Sequence, residues 1–182
     1  PPPAPYVIEV QMVGPYFNGN PTDGFVQGFY AGTGSQSDYV EIGLSASSDF
    51  AAQGADGGIE VVIESNNTPS RSLYPVNGLV GSSQNLRLFL KIDPISGTVQ
   101  PAYAVGTGTA TDLGAPTALS GALLDADQGN HSIGSGLASG LAVGIMTTTG
   151  SATGTFQADY EFIRAEEIPL TSAGTFAVTQ SA

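Results

Sequence analysis

The stretch NLRLFLKIDPISGTVQPAYAV, residues 85–105, decides the fold. Leu86, Leu88, Leu90 and Ile92 alternate with Arg87, Phe89, Lys91 and Asp93. That period of two belongs to a strand with two unlike faces. Pro94 cannot donate to a ladder and ends the strand. Ile95-Ser96-Gly97 supplies a turn whose glycine suits a positive φ. Val99 to Val105 then returns as a second strand, with Tyr103 on the face of Val99 and Val105. The stretch is a β-hairpin with an apolar face and a charged one.

Working outward, the same pattern recurs between turn-rich segments. Strands are expected over residues 6–13, 24–31, 38–46, 58–64, 137–148 and 155–165, with weaker edge strands at 73–76 and 174–180. Val40, Ile42 and Leu44 form one core face; Ile59, Val61 and Ile63 form another. Leu141, Val143 and Ile145, and Phe156, Ala158, Tyr160 and Phe162, are two more. Residues 14–23, 65–72 and 107–120 read as loops, the last with room for one short strand. The first of these carries Tyr16 and Phe17, which either fold back as a lid on the core or meet a ligand. Glycines inside strands (Gly28, Gly43, Gly144) point to curvature or close backbone approach. No segment keeps a helical period, so helix content should be very low. The expected fold is a single all-β, two-sheet antiparallel sandwich over residues 6–182. Residues 1–5, PPPAP, read as the remnant of a proline-rich linker to neighbouring domains of the same polypeptide.

Composition agrees. The 182 residues are 41% hydrophobic and only 11% charged, with 25 glycines and 12 prolines, which disfavours helical bundles and suits short strands with tight turns. Sixteen acids against four bases give a net charge of −12. So few cations (Arg71, Arg87, Lys91 and Arg164) leave no electrostatic footprint for nucleic acid and disfavour anionic membranes. No apolar run is long enough to span a bilayer. Absence of cysteine removes disulfides, zinc thiolates and thiol nucleophiles.

Two kinds of site are readable. A glycan site needs a flat aromatic for the apolar sugar face and planar polar groups for the hydroxyls. The non-core strand faces offer Tyr30, Tyr39, Glu41, Arg87 and Lys91, with Glu60, Glu64, Phe89 and Gln100 beside them. The plainer expectation for the cations is cross-strand pairing with Glu41, Glu60 and Glu64. For metal, residues 124–130, LDADQGN, place Asp125, Asp127 and Asn130 in a D-x-D-x-G-N pattern that supplies oxygens to Ca²⁺ from a loop. It lacks the closing bidentate Glu, and the plainer reading is a solvated acidic turn. Asp23, Asp38, Asp56 and Asp93 sit at strand ends, where a second site could form.

Three pieces resemble the concanavalin A-like lectin/glucanase superfamily, in its laminin-G-like jelly-roll form. These are GFVQGFYAG followed by DYVEIGL, the hairpin LRLFLKIDPISGTVQPAYAV, and LAVGIMTT followed by FQADYEFIRAEE. Together they cover residues 25–167. The resemblance implies a concanavalin-like jelly roll in a secreted or cell-surface module, here taken as bacterial, that binds a polysaccharide or glycan with structural calcium. The glucanases of that superfamily place catalytic carboxylates on one strand. The nearest stretch here is Asp159-Tyr160-Glu161, followed by Glu166 and Glu167, without the glucanase spacing and without any Trp. The single histidine, His131, does not stand in the Gln-x-His pattern of the fold's lyases. A non-catalytic module is therefore expected, with a ligand-free structural or adhesive domain as the alternative and a polysaccharide-cleaving enzyme (glycoside hydrolase or lyase) as the third reading.

Overall fold

A computed structural model of the chain describes residues 4–127 and 141–168. Among these residues are eleven strands: β1 (Tyr6–Val13), β2 (Val26–Gly32), β3 (Tyr39–Ser45), β4 (Gly58–Ser65), β5 (Thr68–Pro75), β6 (Leu86–Asp93), β7 (Thr98–Val105), β8 (Thr111–Asp112), β9 (Thr117–Ala118), β10 (Ala142–Thr148) and β11 (Asp159–Glu167). Among the described residues the helical elements are α1, Gly121–Asp127, and short 3-10 turns at Tyr16–Gly19 and Ser48–Gln53. Sheet A runs β11-β1-β6-β7-β8, with β9 also on β7; sheet B runs β10-β2-β3-β4-β5. All pairings are antiparallel. This is the two-sheet sandwich that the alternation predicts. No helix among the described residues is long and apolar enough to cross a membrane.

The hairpin supplies the centre of sheet A. Leu86, Leu88, Leu90 and Ile92 are all at most 1% exposed. They face Ile42, Leu44, Ile59 and Phe29 of sheet B within one apolar cluster. Gly97 takes φ 65°, as its turn requires. Asp93 caps that turn, accepting from the Ile95 and Ser96 backbone N–H groups at 2.9 and 3.4 Å. Tyr16 and Phe17 are each 1% exposed and close the core as a lid. Phe17 packs on Phe25 and Phe156 with ring centroids 5.9 and 5.0 Å apart.

Four expectations change. Residues 65–72 are not a loop: Asn66 and Asn67, at φ 52° and 58°, make a two-residue turn into β5. Two consecutive positive φ angles fit the primed turns that match the twist of a hairpin. Within β11 the register shifts: Met12 faces Tyr160 but Gln11 faces Phe162, so Glu161 is an extra residue. Phe162 therefore leaves the core face and Ile163 takes it. Val143, Ile145 and Ile163 lie on the inward sides of the outermost strands β10 and β11, yet are 39%, 54% and 43% exposed. An edge strand has a neighbour on one side only and buries less. Lastly, Pro5 is not free linker: it is buried, and its carbonyl accepts from Ile168 N–H at 2.7 Å. The edge strand expected at 174–180 lies outside the described residues.

Candidate functional site

Each sheet turns one face inward and one outward. The residues singled out for a ligand do not share an outward face. Tyr30, Tyr39 and Glu41 are on sheet B; Arg87 and Lys91 are on sheet A. The pairing of Arg87 and Lys91 with Glu41, Glu60 and Glu64 is therefore corrected. Arg87 lies 3.6 Å from Glu9 and donates to the Gly108 carbonyl at 2.6 Å. Lys91 pairs with Asp112.

On sheet A the outward face is largely covered. Phe89, 2% exposed, sits in a second small cluster with Val7, Ala102, Ala104 and Ile168. The segment carrying β8 and β9 crosses beside it. Glu9, 3% exposed, accepts from Arg164 at 2.6 and 2.8 Å through Oε2, while its Oε1 faces Arg87 at the longer ion-pair distance. Arg87 lies over Phe89, and Arg164 over Phe162, at 5.5 and 5.1 Å from the ring centres. A small cavity of about 280 Å³ remains among Glu9, Gln11, Asn85, Arg87, Phe162 and Arg164.

On sheet B the outward face is open. An open cleft of about 510 Å³ is lined by Tyr30, Tyr39, Glu41, Glu64, Gln36, Asn67, Ser35, Gly34 and Met146. Register builds it. Tyr30 faces Glu41 across β2 and β3, and Tyr39 faces Glu64 across β3 and β4. Glycines stand opposite both tyrosines on the other side: Gly144 faces Tyr30, and Gly32 faces Tyr39. A Cβ at Gly144 would come within 2.8 Å of the Tyr30 ring, and one at Gly32 within 2.7 Å of Tyr39 Cβ. Gly144 thus gives the Tyr30 ring room to lie down on the sheet, while Gly32 lets the backbones approach closely beside Tyr39. The rings meet edge to face, 6.5 Å apart at 73°.

The cleft is acidic. Glu41 and Glu60 are diagonal neighbours, as are Glu41 and Glu64, because Glu41 faces Val62. Arg71 on β5 is the one cation on this face, and it is committed. It grips both Glu60 oxygens at 2.7 and 2.9 Å and pairs with Asp49. Burial first, then Glu60 and Glu64, push the Glu41 carboxyl up to about 7, while Arg71 pulls the other way. Burial and the neighbouring Glu64 and Glu41 push the Tyr39 hydroxyl up to about 12.

Sequence reading found Tyr30, Tyr39, Glu41 and Glu64 but missed Arg71, Gln36, Asn67 and Met146 as members of this face. Arg71 was hidden because residues 65–72 read as loop; the Asn66-Asn67 pair between two extended runs was the available signal.

The metal candidates fare differently. Asp125 and Asp127 fall in α1 rather than in a loop, Asp125 is exposed, and Asn130 and His131 lie outside the described residues. Among the described residues no group of three His, Asp or Glu side chains is placed to hold an ion. The strand-end aspartates have structural work. Asp23 accepts from Ser48 N–H at 2.7 Å, Asp38 from Asn66 N–H at 3.0 Å, and Asp56 from Gly78 N–H at 3.1 Å. Glu161 takes the Gln11 and Asn85 side-chain amides, and Asp159 takes the Gln157 amide at 2.8 Å.

No protein-family model matches the chain, and no curated protein matches it. Among solved structures it is similar to peanut lectin with a nine-residue peptide, at 12% identity and TM-score 0.45, over 90% of this chain and 70% of that one. It is also similar to the CBM40 of the Ruminococcus gnavus IT-sialidase bound to α2,6-sialyllactose, at 12% identity and TM-score 0.35. That match covers 62% of this chain and spans 56% of the other. The fold class stands on the chain's own two sheets.

Proposed function

We propose that the chain is a non-catalytic carbohydrate-binding module that holds a glycan in the sheet B cleft. One observation carries the reading. Two tyrosine rings lie at the wall of an open cleft of about 510 Å³, beside the planar acceptors and donors of Glu41, Glu64, Gln36 and Asn67. Rings offer the flat surface that a pyranose stacks on, and the planar groups match adjacent hydroxyls. An exported module of a larger polypeptide is the setting that suits a glycan-directed surface.

The test is a glycan array or polysaccharide pull-down with Tyr30→Ala and Tyr39→Ala variants, and with Arg87→Ala as a control on the opposite face. Losing either ring should weaken binding about tenfold, since an aromatic contact of this kind contributes about 1 kcal/mol or more. Arg87→Ala should leave binding intact. Failure to bind any glycan would return the chain to the structural or adhesive class. Release of reducing sugar from a bound polysaccharide would make it an enzyme.

Calcium is a separate proposal, carried by the Asp125–Asp127 sequence and not by the helix those residues form. If the ion is bound, melting in millimolar Ca²⁺ rises over melting in chelator, and Asp125→Asn removes the rise. Identical melting retires the idea.

A further inference from the structure

The charge of the sheet B cleft singles out one class of sugar. The chain has four Lys and Arg residues in all. Each is engaged elsewhere: Arg71 with Glu60 and Asp49, Arg87 with Glu9, Lys91 with Asp112, and Arg164 with Glu9 and Glu166. None pairs with Glu41 or Glu64, the two carboxylates that line the cleft. No Lys or Arg lines it at all. An anionic sugar would enter a half-enclosed space with two carboxylates whose nearest cation, Arg71, is already held by Glu60 and Asp49. A neutral sugar would leave the carboxylates as plain acceptors. A sugar carrying an ammonium group would satisfy them, and would gain cation–π attraction from Tyr30 and Tyr39.

Resting on the reading of this cleft as a glycan site, we propose that its ligand is a cationic amino sugar, a glycan with unacetylated amines held between Glu41 and Glu64 over the tyrosine rings. The groups facing Glu41 are Tyr30 on β2, Tyr39 on β3, Glu60 and Glu64 on β4, and Arg71 on β5, while β10 brings only Gly144 and Met146. An ammonium group placed beside Glu41 favours its charged form. Binding therefore expels the proton that burial and the neighbouring glutamates help to retain.

The experiment is titration calorimetry with three short oligomers of equal length: fully deacetylated glucosamine, its N-acetylated counterpart, and galacturonate. It is run at a pH where the amine is protonated and repeated at raised salt. The glucosamine oligomer should bind at least tenfold tighter than the N-acetylated one, and galacturonate weakest. The gap should narrow with salt. Glu41→Gln/Glu64→Gln, checked for an unchanged fold by circular dichroism, should erase the preference. Tyr39→Ala should weaken glucosamine binding, whereas diffuse attraction of a cation to an acidic chain would survive it. Equal affinity for the acetylated and deacetylated oligomers overturns the inference and leaves the glycan site standing. So does a preference for galacturonate, or glucosamine binding insensitive to Tyr39→Ala. Absence of binding by all three oligomers, with no hit on the glycan array, overturns both.

Discussion

The two outward faces of this sandwich use the same kinds of residue to opposite ends. Sheet A places Arg87, Arg164 and Glu9 together and lays the guanidinium groups over Phe89 and Phe162, on a face where Phe89, Ala102 and Ala104 are buried, with β8 and β9 paired along its strand β7. Charge there is paired: Glu9, 3% exposed, lies against both arginines. Sheet B places Glu41, Glu60 and Glu64 together with a single arginine and leaves two tyrosines beside an open cleft. Charge there is unmatched and reachable. A protein with so few cations spends two of them on one buried carboxylate and leaves two cleft carboxylates without an ion-pair partner. The first arrangement holds structure, and the second is the cleft proposed above as the ligand site.

The paired face of sheet A depends most on Glu9. Its removal would strand Arg87, whose side chain is 13% exposed, without the carboxylate beside it. Glu9→Ala should cost about 3 kcal/mol of stability, read by denaturant unfolding, because breaking a buried pair leaves an uncompensated charge. An unfolding midpoint unmoved by this change would mean that sheet A's face is not structural.

Glu41 should behave in the reverse sense. Its carboxyl sits at about 7 in the folded protein against an ordinary 4.5, so the native state keeps a proton that the unfolded chain has released between those values. Stability from this group is complete below pH 4.5 and is lost as pH rises through about 7. Glu41→Gln stays neutral at every pH. Above pH 7 it should therefore be more stable than the parent, by up to about 3 kcal/mol, with the difference closing in acid. Melting curves at several pH values decide it; a variant less stable than the parent at high pH contradicts the account.

The smallest effect is expected at Lys91, whose partner Asp112 is 53% exposed. Lys91→Met should cost less than about 1 kcal/mol, since half-solvated pairs contribute little. A loss comparable to that at Glu9 would show that the segment carrying β8 depends on this one contact.

Much of the fold was legible. The alternation at Leu86–Ile92, Val40–Leu44 and Ile59–Ile63 marked the core faces, because a strand's period is fixed by its backbone and one of its sides must be apolar. The failures were local insertions and turns. One extra residue at Glu161 reverses every side chain beyond it, which moved Phe162 from core to surface. Pro69 and the Ser-rich run around Arg71 concealed an edge strand, a place where proline is tolerated. Of the candidate site, Tyr30, Tyr39 and Glu41 could be placed on one outward face, since they stand on two neighbouring strands.

The sequence by itself determined the all-β class, the hairpin at its centre, the acidity of the chain and the two-sided character of each strand. Only the tertiary structure decided which outward face each charged residue joins. A sandwich has two such faces, and a strand's own alternation is the same on either, so Arg87 and Lys91 carry no local mark of the sheet they belong to. The pairing order set that. It brought Glu9 to the arginines, and left Glu41 and Glu64 facing the open cleft with the tyrosines.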